Sequence, residues 1–224
     1  MIWKLLFPTR CPVCDRIVKP FGEKICLECL PKLRTVTPPW CMKCGKKIQG
    51  NEELCMDCRG RKHMFDRART LYEYGTAAPS LYRFKYKGRQ EYADFYGEEM
   101  GKYLGEFIRR VSPDVLVPVP LHRKKLKSRG YNQAACLARA LGKSLNLPVD
   151  EKLVKRIRNT APMKRLNPTE RQNNLKKDVK LYDRIILVDD IYTTGTTLDE
   201  ISALLKSYGV SEVYCVTLAC GAGL

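Results

Sequence analysis

No apolar run in this chain of 224 residues reaches the roughly 18 residues that a membrane-spanning helix needs. The opening Met1-Ile2-Trp3-Lys4-Leu5-Leu6-Phe7-Pro8 is too short for the apolar core of a signal peptide and stops at a proline. A cytoplasmic protein is expected, reaching the inner face of the membrane only through partners. Acidic side chains are scarce, 24 against 41 Lys and Arg, which leaves a formal charge of +17 and points to a polyanionic partner. Low-complexity segments are absent. A hydrophobic fraction of 44% excludes wholesale disorder, and the length fits one large domain, or a medium one and a small one.

The cysteines divide the chain. Eight of the eleven form four CxxC pairs: Cys11/Cys14, Cys26/Cys29, Cys41/Cys44 and Cys55/Cys58. One CxxC brings two thiolates to a tetrahedral metal, and a second completes a closed four-cysteine site. Two structural Zn2+ ions are the expectation. An iron–sulfur cluster is the main rival, and thioredoxin-type redox chemistry is disfavoured because no βαβ pattern surrounds the pairs. In a reducing compartment a disulfide framework does not form. Loop closure favours sequential pairing, Cys11, Cys14, Cys26 and Cys29 on one ion and Cys41, Cys44, Cys55 and Cys58 on the other. A cross-brace joining the first and third pairs is the alternative. With few aliphatic residues, this segment needs such staples to fold. It is expected to form a small module over residues 1–62, ahead of a larger domain over 63–224.

Residues 1–63 carry +7, and eight thiolates with two Zn2+ bring that to about +3. A docking platform therefore fits the module better than a nucleic-acid ribbon, although Trp3, Phe7, Phe21 and Trp40 can stack as well as pack.

From Phe65 onward strands alternate with helices. Strand patterns cover 69–74, 115–120, 185–188 and 213–218. Helical spacing runs from Leu81 to Phe107, from Ala134 to Leu145 with Asn132 as N-cap, and from Thr197 to Tyr208 with Gly209 at the C-terminus. The fully apolar Ile185-Ile186-Leu187-Val188 reads as a strand buried on both faces. The fold class is α/β, a mostly parallel sheet flanked by helices.

Between that strand and the last helix stands Asp189-Asp190-Ile191-Tyr192-Thr193-Thr194-Gly195-Thr196-Thr197. A helix N-terminus presents unpaired N–H groups and a favourable dipole to an anion. Threonine hydroxyls add donors, and Gly195 admits close approach. Two carboxylates would repel the phosphate, so they suit ligand hydroxyls or a bound Mg2+. A ribose 5-phosphate whose diol faces the acids satisfies both. The block holds no Gly-Lys-Ser/Thr and is not a Walker A loop.

This block resembles the phosphoribosyltransferase signature. The resemblance extends to the ComF family of competence proteins through Phe7-Pro8, Phe84-Lys85-Tyr86, Pro118-Val119-Pro120-Leu121-His122, Arg129-Gly130-Tyr131-Asn132-Gln133 and Glu170-Arg171…Asn174. It implies a type I phosphoribosyltransferase-like domain behind a double zinc ribbon, and a pocket for 5-phosphoribosyl diphosphate with Mg2+. In that pocket Asp189 and Asp190 would hold the ribose diol, directly or through the metal. Thr193, Thr194, Gly195, Thr196 and Thr197 would hold the 5-phosphate, and Val117, Pro118, Val119 and Pro120 would form the pyrophosphate loop. A mobile basic stretch from Arg123 to Arg129 would clamp the diphosphate, with Arg129 and Lys124, Lys125 or Lys127 neutralising it. Arg123 and Arg171 join these as candidate DNA or diphosphate contacts. His122 reads as a packed or capping residue before a catalyst.

The same resemblance implies handling of single-stranded DNA during natural transformation, with other competence proteins such as a ComF-operon helicase as partners. An active transferase on a nucleobase or amine, and an interaction hub in which the zinc module docks the helicase, are the competing readings. Residues 122–180 carry +13 and the rest of the chain outside 1–63 carries -3. The excess charge is thus a basic rim beside the phosphate motif, broad enough for a nucleic-acid backbone.

Overall fold

The computed structural model describes residues 8–20, 22–154 and 182–221. Four strands, β1 (Ala68–Glu73), β2 (Val115–Pro118), β3 (Arg184–Tyr192) and β4 (Glu212–Cys220), form one sheet in the order β1-β4-β3-β2. Every neighbouring pair is parallel, as alternating strands and helices require. Among the described residues the α-helices are α1 (Met56–Gly60), α2 (Tyr74–Tyr86), α3 (Tyr92–Val111), α4 (Arg123–Arg129), α5 (Gln133–Leu145) and α6 (Thr196–Ser207).

Alternation along β3 divides the core. Ile186 and Val188 pack with α3 and α5 side chains such as Met100, Leu104, Leu137 and Leu141. Ile185 and Leu187 pack with Leu198, Ile201 and Leu205 of α6. The two ribbons follow the same division. Cys11, Val18, Ile25 and Leu33 join the first cluster, and Cys41, Cys44, Ile48 and Cys58 join the second. The small module therefore straddles the sheet rather than sitting beside it.

Both sheet edges are covered, which blunts edge-to-edge pairing. On β1, the Val36 N–H donates to Leu71 O at 2.8 Å and the Glu73 N–H to Arg34 O at 2.9 Å. On β2, the Leu116 N–H donates to Pro148 O at 2.9 Å and the Asp150 N–H to Leu116 O at 3.0 Å.

Several sequence expectations meet small corrections. The helical run from Leu81 to Phe107 is two helices, broken where Gly88 takes a positive φ of 68°. Arg123–Arg129, expected as a mobile stretch, is the short helix α4. Only Leu126 among its residues is apolar, so no periodicity marks it, but His122 caps it by accepting the Lys124 N–H at Nδ1, 3.3 Å away. Strand β3 runs on past Val188, so Asp189 and Asp190 lie within it, in register with the neighbouring β4 (Asp189 opposite Thr217). Asn132 caps α5 as expected, accepting the Ala134 N–H at 3.1 Å.

Among the described residues, no helix is long and apolar enough to cross a membrane.

Candidate functional site and metal centres

The eight CxxC thiols gather into two groups, Cys11/Cys14/Cys26/Cys29 and Cys41/Cys44/Cys55/Cys58, with the sulfurs of each group within 4.8 Å of one another. This is the sequential pairing. Four closely placed thiols, with no fifth donor grouped with them among the described residues, are the donor set of a closed structural Zn2+ site. The sequence shows no repeat beyond the CxxC pairs, yet the backbone repeats as well. Asp15 donates its N–H to Cys11 O at 2.9 Å, and Gly45 donates its N–H to Cys41 O at 2.9 Å. Both residues turn left-handed, with φ of 58° and 74°.

The two knuckles differ in what they rest on. At the first, the Asp15 carboxylate accepts from Tyr92 Oη at 2.6 Å and from Arg89 at 3.1 Å. That knuckle thus sits on the start of α3. At the second, a Cβ on Gly45 would stand 2.7 Å from Ala68 O and 2.8 Å from Arg69 Cα, so the knuckle lies flush on the start of β1. Only glycine satisfies both the turn and the contact.

At the carboxyl ends of the strands, where open α/β sheets place ligands, β3 delivers the acid pair. Asp190 is buried and Asp189 half-buried. The Asp189 carboxyl is pushed up to about 8, first by burial and then by the charge of Asp190, against the opposing pull of the Asp190 N–H and Lys85. That N–H donates to Asp189 Oδ1 at 2.8 Å. Lys85 Nζ, from the last turn of α2, lies 3.0 Å from Asp190 Oδ1. Two adjacent carboxylates at a strand end are hard oxygen donors of the kind Mg2+ takes, and here a lysine ammonium already stands beside them.

The chain then turns through the threonine loop into α6. Gly195 is the N-cap residue, left-handed at φ 76°, and no side chain caps the helix. Its first amides are thus left to an incoming group. Thr193, Thr194, Thr196 and Thr197 are exposed, and Thr194 Oγ1 lies 2.9 Å from Thr196 Oγ1. The one acid of the first turn, Asp199, is occupied elsewhere. It accepts the Met64 N–H at 2.8 Å and the His63 Nδ1–H at 2.8 Å.

Beyond the acid pair, Arg129 donates to Tyr86 Oη at 3.1 Å and to Gln133 Oε1 at 3.0 Å. Its guanidinium stands 4.8 Å from the Tyr86 ring centre. Tyr86 follows Lys85 at the end of α2, so this one helix end serves both the acid pair and Arg129. Arg123, Lys124, Lys125 and Lys127 are exposed on α4 and make no ion pair among the described residues. Val117 is buried in β2 beside Leu187. Pro118 ends that strand opposite Val188, Val119 donates its N–H to Val188 O at 2.9 Å, and Pro120 is half-buried. Trp3, Phe7, Phe21, Glu170, Arg171 and Asn174 lie outside the described residues.

Lys85, Arg61 and His63 were not among the site residues expected from sequence. Lys85 appeared only within a matching segment, and nothing local marks the other two. A cavity of about 780 Å³ lies elsewhere, lined by Asp66, Arg67, Arg184, Glu212 and Tyr214 at the amino ends of the strands. There Arg69 stands between Trp40 and Phe107, 5.1 and 5.2 Å from their ring centres.

A double zinc ribbon domain matches residues 2–59, and a phosphoribosyl transferase domain matches residues 109–222. Competence protein F of Haemophilus influenzae is 30% identical over 229 residues, spanning 95% of this chain and 97% of its own. The chain belongs to the ComF family. Competence protein ComFC of Bacillus subtilis is 31% identical over 220 residues, 88% of this chain and 79% of its own. The DNA utilization protein YhgH of Escherichia coli K12 is 30% identical over 226 residues, 95% of this chain and 98% of its own. This member of the family thus joins a double zinc ribbon to a phosphoribosyltransferase-type domain.

Proposed function

We propose that this ComF protein binds 5-phosphoribosyl diphosphate with Mg2+ at the carboxyl end of its sheet and uses that pocket while handling single-stranded DNA in the cytoplasm during natural transformation. The observation that carries the reading is the uncapped start of α6 behind Gly195, beside the acid pair. Amides and threonine hydroxyls suit a phosphoryl group, and carboxylates suit hydroxyls.

In this reading Thr193 to Thr197 hold the 5-phosphate. Asp189 and Asp190 take the ribose diol, and Lys85 swings from Asp190 toward the diphosphate. Pro118 to Pro120 shape the diphosphate side, and Arg129, held by Tyr86 and Gln133, supplies positive charge there. Val117 acts only by fixing the strand beneath. Asp189 and Asp190 would be the carboxylates to hold Mg2+, which would supply charge neutralisation for the diphosphate. The exposed cations of α4 offer contacts to a DNA backbone, which such side chains hold through counterion release. The names of the H. influenzae and B. subtilis relatives support the competence role, and other competence proteins are its natural partners.

Calorimetric titration of the zinc-loaded chain with 5-phosphoribosyl diphosphate and Mg2+, with and without single-stranded DNA, tests this. Saturable binding of both ligands is expected, each altering the affinity of the other. Absence of either binding at low salt overturns the reading. Diphosphate release on adding a nucleobase or amine would instead make the protein a working transferase.

A further inference from the structure

The segment leaving the last zinc thiolate runs directly beneath the threonine loop. Cys58 lies in α1, which ends at Gly60. Arg61 then donates from Nη1 to Thr194 O at 3.2 Å and from Nη2 to Thr196 Oγ1 at 3.3 Å. The same Nη2 lies 3.3 Å from Asp199 Oδ2. Two residues on, His63 is 5% exposed, and with the Met64 N–H it takes up both oxygens of Asp199. One short stretch thus holds the loop at Thr194 and Thr196 and the first turn of α6 at Asp199.

The floor of the loop comes from the same place. A Cβ on Gly195 would meet Tyr192 Oη at 2.7 Å and His63 Cε1 at 3.2 Å. His63 stacks on Phe65 at 4.7 Å, and Phe65 meets Tyr192 edge-on at 6.3 Å. Lys46 lies 5.6 Å from the Tyr192 ring centre and is tied to Asp57 of α1 at 2.7 Å. Phe65 and Tyr192 share their core cluster with Cys41, Cys44 and Cys58. Among the described residues, no hydrogen bond or ion pair joins the first ribbon to this loop. That ribbon is held to α2 by Arg83, to the turn after it by Arg89 and to the start of α3 by Tyr92.

We propose that the second ribbon is a working part of the phosphate pocket. Zn2+ on Cys41, Cys44, Cys55 and Cys58 fixes Arg61 and His63 as positioning residues, and these hold Thr194–Thr196 and α6 in the shape that receives a phosphoryl group. Metal at the second site and phosphate at the loop are therefore thermodynamically coupled, each strengthening the other. Metal at the first site is not coupled to the loop. The inference rests on reading Thr193–Thr197 as a phosphate loop, and it gives the zinc module a role inside that pocket.

The test uses the full zinc-loaded chain, ribose 5-phosphate as probe, and hydrogen exchange of the amides of residues 194–198. Arg61→Met removes the side-chain donors. It is expected to raise exchange across these amides and to weaken ribose 5-phosphate about tenfold, the loss of one or two charge-assisted bonds, with partial recovery in Arg61→Lys. Cys55→Ser should release one zinc and reproduce both effects. Cys26→Ser should release one zinc and reproduce neither. Unchanged exchange and affinity in Arg61→Met, or equal effects from the two cysteine variants, would overturn the proposal. If Cys55→Ser does not fold, Arg61→Met decides alone. If the unmodified chain fails to bind ribose 5-phosphate, the phosphate reading falls, while exchange in Arg61→Met still decides whether the ribbon holds the loop.

Discussion

Lys85 Nζ stands 3.0 Å from Asp190 Oδ1, with 17% and 13% of the two side chains exposed. This ammonium offsets the charge of the buried Asp190 carboxylate at the end of β3. Removing one partner of such a pair leaves a desolvated charge behind, which costs more than the pair itself contributes. Lys85→Met is expected to destabilise the protein by about 2 kcal/mol, and Lys85→Met/Asp190→Asn by much less. Urea midpoints across the double-mutant cycle measure the difference. Additive losses would show that the two side chains do not depend on one another.

Asp189 carries the opposite sign of pH dependence from most acids. Burial, and then the charge of Asp190, push its carboxyl up to about 8 in the folded protein from the ordinary 3.8. Between those values the native state keeps a proton that the unfolded chain has lost, so stability falls as pH rises through that window. Asp189→Asn removes the titration. The difference in unfolding free energy between the asparagine variant and the unmodified protein should grow from pH 4 to pH 8 in favour of the variant. A difference that stays constant with pH would contradict the assignment. Comparing the two proteins cancels the pH dependence of the zinc thiolates, which is common to both.

Gly195→Ala should weaken phosphate binding strongly while sparing the fold. The residue sits at φ 76°, a region that costs an alanine roughly 1 kcal/mol. Its Cβ would also press on Tyr192 Oη at 2.7 Å. The loop must shift, and with it the first amides of α6. A loss of more than tenfold in ribose 5-phosphate affinity, with near-native circular dichroism, is the expected result. An unchanged affinity would remove the loop from the pocket.

The cations of α4 should show themselves in salt dependence. For single strands, each neutralised phosphate contributes about 0.7 to the slope of log affinity against log salt. Replacing Arg123, Lys124, Lys125 and Lys127 with alanine should lower the slope by up to about 3 if all four meet phosphates. The four residues are exposed, so the fold should survive. An unchanged slope would place the DNA on another face.

What the sequence revealed of the site was what is local. Asp189 to Thr197 is contiguous, because a strand end, a turn and a helix start place the acids and the threonines together. The Asn132 cap was legible for the same reason, since it is decided within a short stretch, whereas the spacing of the cysteines only favoured the sequential pairing over a cross-brace and the fold decides it. Lys85 reaches Asp190, and Arg61 and His63 reach the loop, only through tertiary packing, and no spacing rule connects them. Helix α4 was hidden because its turns bury nothing, and periodicity marks only helices that do. The extra length of β3 was hidden because carboxylates interrupt its apolar run, although the ladder with β4 continues through them.

The pairing of Val36 and Arg34 with β1 has a consequence in time. A ribosome delivers residues 34–36 before β1, and β1 long before β4, its partner on the other side. A zinc-charged ribbon can therefore shield one flank of the new strand, and Lys43 O can take the Ala68 N–H at 2.7 Å, while the rest of the sheet is still being made. An unpaired strand in a half-built chain is an invitation to aggregate. The metal module comes first in the sequence, where such a guard is needed.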